Sequence, residues 1–312
     1  MTNPSPKEEN LLHKAVENGD MKALKELVMS GANIEEKNSR GQSPLHFAVT
    51  EYQISIIEFL IQQGANIDEK DTNGDNPLLK AVSRCYIPIV DILIRNGADI
   101  EVKCSAQLQT PMHIASQSGH IEIVQMLITK GAKLDVKDID GFTPLQHAAA
   151  CGQNQCLELL LQNGANFKSQ NNLGFTSLHI AASLGQNRSL EILLQNGANI
   201  ETQNTLGRTP LHTAVYNWWS YNGSLKKTVE TLIQNGAKID AKDAHGQTPL
   251  HLAAHSRNSS KALILLEFGA SLKIRNQDGF TSLEVALNVN VFSWNHEQKL
   301  NLIKLLAYSG MM

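Results

Sequence analysis

The sequence predicts an all-α solenoid, a stack of similar helix-turn-helix units. Two observations support this: one short phrase recurs nine times, and the spacing between its copies is nearly constant. The fullest form is Thr-Pro-Leu-His-Leu-Ala at 248–253, and the copies begin at residues 10, 43, 76, 110, 143, 176, 209, 248 and 281. Steps of 33 or 34 residues, with one step of 39, indicate repeats that bury a continuous core by stacking on their neighbours.

Each unit begins with a short helix. Every copy of the phrase starts with Thr, Ser or Asn, whose side chains accept a hydrogen bond from an amide in the first helical turn. Proline follows in six of the nine copies, at the first helical position, where its missing N–H costs nothing. The Leu and Ala of the phrase then face one side of the helix.

A second helix follows in each unit. In the fourth unit Ile121, Val124 and Leu127 have the spacing of an amphipathic helix. The helix is expected to end at a glycine, which suits the left-handed position after a helix, and a polar stretch with Asp or Asn and a further Gly then predicts a tight turn in an extended hairpin. The helix-ending glycines are Gly31, Gly64, Gly97, Gly131, Gly164, Gly197, Gly236, Gly269 and Gly310.

A turn and two helices every 33 residues, with a Thr-Pro-Leu-His-x-Ala phrase, resemble the ankyrin-repeat family over residues 9–311. We therefore expect one domain over 1–312, with repeats beginning near 9, 39, 72, 105, 139, 172, 205, 244 and 277. The resemblance implies a curved stack whose projecting β-hairpin loops and first helices line a concave binding face. Repeats 7 and 9 carry six and eight extra residues between their helices, within 216–227 and 288–298, and these are expected to form surface loops.

The composition excludes several classes of protein. A formal charge of −3 argues against a nucleic-acid or membrane-surface partner, which normally requires a basic excess. No apolar run approaches the roughly 20 residues of a membrane span, and the polar N-terminus lacks a secretory signal. The four cysteines form no CxxC pair, which favours reduced thiols. We predict a cytoplasmic monomer.

The sequence offers no catalytic or metal-binding constellation. Six of the eleven histidines occupy one position of the repeat, a full repeat apart, so they cannot form one active site; the family resemblance implies that they bridge neighbouring hairpins. The other five show no metal-ligand spacing, and no phosphate-loop, nucleophile-elbow or zinc-protease motif occurs. We predict no enzyme activity, cofactor or metal, and interpret loop carboxylates such as Glu35 and Asp68 as solvated. The six are His13, His46, His113, His179, His212 and His251.

The candidate partner-binding residues lie at positions that this fold leaves free to vary, the hairpin tips and the ends of the first helices. Repeats 2 and 3 hold polar residues there, whereas repeats 5–7 hold apolar and aromatic ones, and such clusters tend to mark interaction sites. In the alternative, the phenylalanines pack on adjacent hairpins and the loop tryptophans, including Trp294, cover their own helices. The candidates are Ile139, Phe142, Leu173, Phe175, Leu184, Leu206, Arg208, Tyr216, Trp218, Trp219 and Tyr221.

These observations favour a non-catalytic scaffold or adaptor that binds a protein or peptide on the concave face around repeats 5–7. An alternative is a host-directed effector of an intracellular bacterium or a virus, delivered into the host cell; the Lys-, Asn- and Gln-rich composition motivates it. A third hypothesis is an enzyme or nucleic-acid binder that uses the inserted loops. The missing motifs and the charge of −3 count against it.

Overall fold

A computed structural model describes residues 11–216, 224–256 and 259–288, together with 303, 304 and 307. This part of the chain is all-helical and contains no β-strand, in agreement with the predicted fold class. Trp218, Trp219, Tyr221 and Trp294 lie outside the described residues.

The chain divides into two compact units, Met1–Pro144 and Leu145–Met312. The helices of the first unit are α1 Leu11–Glu17, α2 Met21–Met29, α3 Pro44–Thr50, α4 Ile54–Gln62, α5 Pro77–Ser83, α6 Ile87–Arg95, α7 Pro111–Ser118 and α8 Ile121–Thr129. Those from the boundary onward are α9 Pro144–Cys151, α10 Asn154–Gln162, α11 Ser177–Leu184, α12 Asn187–Gln195, α13 Pro210–Tyr216, α14 Ser224–Gln234, α15 Pro249–His255, α16 Ser259–Glu267 and α17 Ser282–Asn288.

Within each unit, a first helix packs on its own second helix and on the first helices of adjacent repeats. In the first unit α3 contacts α1, α4 and α5, and in the second unit α13 contacts α11, α14 and α15. The phrase leucines lie at the centre of this packing, and Leu45, Leu78 and Leu250 are completely buried. A helix of seven or eight residues is marginal alone, so this burial between neighbours is what stabilises it.

The helix ends form as the sequence predicts. The Asn76 side chain accepts a hydrogen bond from the Leu79 amide (2.9 Å) at the start of α5. At the end of α4, Gly64 adopts φ +88°, and the Ala65 amide bonds back to the Leu60 carbonyl (3.0 Å). The caps satisfy backbone groups that have no partner inside the helix.

Most of the described loops between repeats are closed by an Asp or Asn side chain; the loop into repeat 4 has Cys104 at this position. In repeat 6 the Asn171 Oδ1 accepts the amides of Leu173 (3.0 Å) and Phe175 (2.9 Å), and the Asn171 amide donates to the Phe175 carbonyl (3.0 Å). The predicted turn is therefore present. The Asn171 side chain stabilises it, and the flanking residues form no regular strand. The same pair of bonds occurs at Asn38, Asp71, Asp138, Asn204 and Asp243.

Among the residues that the structure describes, three other than glycine adopt left-handed backbone conformations, and all belong to the first unit. Tyr52 and Cys85 have φ of 57° and 59° at the turn between two helices, and Leu108 has φ of 54° at a loop tip. Equivalent positions in other repeats hold glycine, such as Gly185 and Gly174. A Cβ atom makes this conformation costly, by roughly 1–2 kcal/mol per residue.

Candidate functional site

The repeated histidines form a ladder that joins successive loops. The Thr176 amide donates to Nδ1 of His179 (3.2 Å), and Nε2 of the same ring lies 3.0 Å from the Arg208 carbonyl. A backbone amide can only donate, so Nδ1 accepts and Nε2 carries the proton. All six histidines make the equivalent Nε2–carbonyl contact at 2.8–3.1 Å, which confirms the predicted bridging role.

The ladder needs a hydrogen-bond donor and not a titrating ring. Burial lowers the pKa of His179 to about 4, so the imidazole is neutral near pH 7. In repeat 5 a glutamine replaces the histidine, and Gln146 Nε2 donates to the Phe175 carbonyl (2.9 Å) in the same way. This position therefore has a structural role in the stack.

The loop carboxylates are not merely solvated, which corrects the interpretation made from the sequence. Glu35 Oε1 accepts the Asn66 amide of the next loop (2.6 Å), and Asp68 Oδ1 accepts the Asp99 amide (3.0 Å). Glu101, Glu201 and Asp240 each accept a backbone amide of the following repeat in the same way. These carboxylates stabilise the stack through partners that a local sequence pattern does not reveal.

Two exposed leucines lie on adjacent loop tips of the second unit. Leu173 and Leu206 are 63% and 45% exposed. The Thr205 amide and hydroxyl both donate to the Leu173 carbonyl, at 3.3 and 2.9 Å, so the tip that carries Leu206 is bonded to the tip that carries Leu173. The Leu206 carbonyl in turn accepts the Ala244 amide (3.0 Å).

Two further exposed residues end the neighbouring first helices. Leu184 is the last residue of α11 and Tyr216 the last of α13; the helices pack on each other, and both side chains are about 45% exposed. The Arg208 guanidinium lies 4.1 Å from the centre of the Tyr216 ring, which connects this helix end to the Leu206 loop. We call Leu173, Leu184, Leu206 and Tyr216 the tip–helix surface.

Arg208 differs from the freely exposed contact residue that the sequence suggests. Its side chain is only 14% exposed, and Nε lies 3.4 Å from the buried Asp243 carboxylate. Arg208 also contributes, after burial, to lowering the pKa of His255. Its geometry suits a role in holding the Tyr216 ring, by a cation–π contact, more than direct contact with a partner.

The remaining described candidates are of two kinds. Phe175 is half-buried and packs edge-on against the His179 ring, with centroids 5.7 Å apart. In the first unit Phe142 is also half-buried, whereas Ile139 is 50% exposed and donates its amide to the Gln107 carbonyl (3.0 Å). Phe175 thus packs on the first helix of its own repeat, so the alternative in which the phenylalanines pack on adjacent hairpins stays a prediction.

The interior of the second unit contains polar residues that the sequence patterns did not single out. Ser189 and Thr228 are buried in the second helices of repeats 6 and 7, and Lys261 is buried in that of repeat 8. Ser189 Oγ donates to Asn154 Oδ1 (2.8 Å), and Thr228 Oγ1 is 2.7 Å from Asn187 Oδ1. Comparing the same position across repeats reveals this substitution of polar for apolar residues.

Among the described residues, no group of three or more His, Cys, Asp or Glu side chains is arranged to hold a metal ion. Within the same part of the chain, no helix combines the length and the apolar character that a membrane crossing needs.

Comparison with known proteins agrees with this architecture. The family model described as ankyrin repeats (3 copies) matches residues 12–104, 102–171, 155–243 and 217–310. The crystal structure of the human ASB11 ankyrin repeat domain is similar, with a TM-score of 0.61 and 26% identity, over 75% of this chain and 98% of that one. No curated protein matches the sequence. The capped helix pairs, the histidine ladder and the match along nearly the whole sequence lead to one conclusion: the chain belongs to the ankyrin-repeat family.

Proposed function

We propose that this protein is a non-catalytic scaffold or adaptor that binds a protein partner through the tip–helix surface of its second unit. Ankyrin repeats are generally protein–protein interaction modules. The observation that carries the proposal is the pair of exposed leucines, Leu173 and Leu206, on loop tips bonded to each other. Neighbouring apolar side chains at the surface of a soluble protein tend to mark binding sites.

The chemistry of the surface suits a partner with apolar side chains. Complete burial of one aliphatic or aromatic side chain stabilises a complex by about 1.5–3 kcal/mol, and Leu173, Leu184, Leu206 and Tyr216 offer four. The contact with Arg208 restrains Tyr216 before binding, which lowers the entropy cost of ordering this ring in a complex. Tyrosine is also enriched among the residues that contribute most to binding.

The test is a triple variant, Leu173→Ala, Leu206→Ala and Tyr216→Ala. Affinity capture followed by mass spectrometry should identify a protein retained by the natural chain and lost from the variant. With that protein purified, the dissociation constant should rise at least about tenfold, as expected when residues of this kind are truncated at an interface. The melting temperature should change little, since the three side chains are exposed.

A matched control removes exposed apolar side chains elsewhere. Met29 and Leu263 lie on second helices and are 87% and 44% exposed, so Met29→Ala with Leu263→Ala should retain the partner. Unchanged binding by the triple variant, or equal loss in the control, would reject the tip–helix surface. A collapse of the melting temperature in the triple variant would instead assign these residues to the fold.

The other parts of the proposal concern the setting of the protein. We propose a cytoplasmic monomer without nucleic-acid or membrane partners, which fractionation and light scattering can test. Ile139, Phe142, Trp218, Trp219 and Tyr221 remain candidate contacts to be substituted singly once a partner is in hand. Delivery into a host cell rests on composition alone, and a plant or vertebrate chromosomal gene would refute it.

A further inference from the structure

Lys261 is a buried lysine in the second helix of repeat 8. It is the third residue of α16 and only 5% exposed, at a position that holds isoleucine, cysteine, serine or threonine in repeats 2–7. Burial lowers the pKa of its amino group. A buried amino group is destabilising unless it has hydrogen-bond acceptors, so the acceptor of Lys261 indicates its role.

The lysine caps the end of the preceding first helix. Its Nζ donates to the Val215 carbonyl at 2.8 Å, and Val215 is the residue before the last one of α13, Tyr216. The carbonyls in the last turn of a helix receive no hydrogen bond from an amide of the same helix, so they need a donor from elsewhere. An amine retains N–H donors whether or not it is protonated, so this bond does not require the charged form.

In five other repeats the corresponding carbonyl accepts a hydrogen bond from the turn of its own repeat. The amide of the turn residue three positions later donates to it, as Tyr52 does to Val49 (3.1 Å) and Gly185 does to Ala182 (3.3 Å). The same bond is made by Gly19 to Val16, Cys85 to Val82 and Gly152 to Ala149. Five repeats thus close the end of the first helix through their own turn.

In repeat 7 the corresponding stretch of sequence is longer. Residues 217–225 of repeat 7 align with only three residues of repeat 6, 184–186, of which Leu184 ends α11. We propose that Lys261 supplies, from repeat 8, the hydrogen bond that the short turn supplies in these five repeats, and so positions the end of α13 and Tyr216. Lys261 is thus a positioning residue, coupled to the long connection of repeat 7.

Tyr216 belongs to the tip–helix surface of the proposed function, but the role of Lys261 can be tested without a binding partner. A shortened chain replaces residues 217–225 with Leu-Gly-Gln, the connection of repeat 6. Lys261→Met is then made in the natural and the shortened chain. The melting-temperature shift caused by Lys261→Met should be more unfavourable in the natural chain, by about 3 °C or more, because only there is the bond to Val215 needed.

Equal shifts in the two chains would overturn the proposal. The matched control is Ser189→Ala, a polar residue at the same helix position in repeat 6 that bonds to Asn154. Its shift should be the same in both chains, since its partner is not in the connection of repeat 7. Subtracting it removes any general effect of shortening on the stability of the stack.

Hydrogen exchange gives a second readout in the natural chain alone. Lys261→Met should speed exchange of the Val215 and Tyr216 amides by about tenfold, through fraying of the last turn of α13, whereas Ser189→Ala should not. Unchanged exchange in Lys261→Met would refute the positioning role even if the shortened chain fails to fold. Neither outcome depends on whether the triple variant of the tip–helix surface loses its partner.

Discussion

One position of the second helices, the third residue of α4, α6, α8, α10, α12 and α16 and the fifth of α14, is buried in both units, but its chemistry differs between them. The first unit has Ile56, Ile89 and Ile123 at this position. The second unit has Cys156, Ser189, Thr228 and Lys261. An apolar side chain stabilises the stack by leaving water and accepts many neighbours, whereas a buried hydroxyl or amine requires a partner in a defined place.

The two units also differ in the residues that occupy left-handed positions of their turns. In the first unit Tyr52, Cys85 and Leu108 are forced into left-handed conformations, whereas in the described part of the second unit every residue with positive φ is glycine. Close approach explains two of those glycines, because a Cβ at Gly174 or Gly207 would lie 2.5 Å from the backbone of the next loop. At this helix position the first unit is apolar and the second mostly polar, whereas left-handed residues other than glycine occur, among the described residues, only in the first unit.

The largest expected effect comes from exchanging the interior chemistry. Ile89→Ser in the first unit should lower the free energy of unfolding by about 4 kcal/mol, since it leaves a cavity and a hydroxyl in an apolar site. Ser189→Ala in the second unit should cost only about 1 kcal/mol, the contribution of one hydrogen bond. Urea unfolding of both variants measures the difference, and equal costs would show that the two interiors are equivalent.

Acid should lower the free energy of unfolding through His179 of the second unit, by somewhat less than Ile89→Ser does. Its pKa is lowered to about 4 in the folded chain against about 6.5 when unfolded, so the unfolded state binds more protons between these values. The contribution of His179 to the free energy of unfolding is therefore fully present above about pH 6.5, and it decreases by roughly 3 kcal/mol as the pH falls towards 4. Unfolding measured across this range checks the direction and size.

The natural glutamine of repeat 5 provides the matched variant. His179→Gln retains a side-chain donor, as Gln146 does, but has no proton to bind. The variant should therefore lose less stability than the natural chain between pH 6.5 and 4. An unaltered profile in His179→Gln would assign the acid sensitivity to other groups.

Relief of backbone strain in the first unit should give the smallest change. Leu108→Gly should raise the free energy of unfolding by about 1 kcal/mol, because φ of 54° favours glycine and the leucine is 40% exposed. Gly64→Ala is the converse control, since its φ is +88° and a Cβ there meets nothing within 4 Å. It should lower stability by a similar amount in thermal unfolding; a Leu108→Gly variant less stable than the natural chain would contradict the strain.

The tertiary structure changed the interpretation of several candidate residues. Arg208 was predicted from its loop position as a contact residue, yet Asp243 and Tyr216, 35 and eight positions away, hold its side chain. Leu173 and Leu206 remain exposed as their positions suggested. No sequence motif singles out Lys261, because its role depends on the hydrogen bond to Val215, which only the tertiary structure reveals.

The sequence by itself determined the repeat, the helices and their ends, because these depend on side chains within about four positions of one another. Asn76 caps the amide of Leu79 three residues on, and Asn171 closes a loop within four residues. The tertiary structure alone decided which polar side chains belong to the scaffold. Glu35 bonds to a residue 31 positions away and Lys261 to one 46 positions away, and such contacts form only when stacking brings successive repeats together.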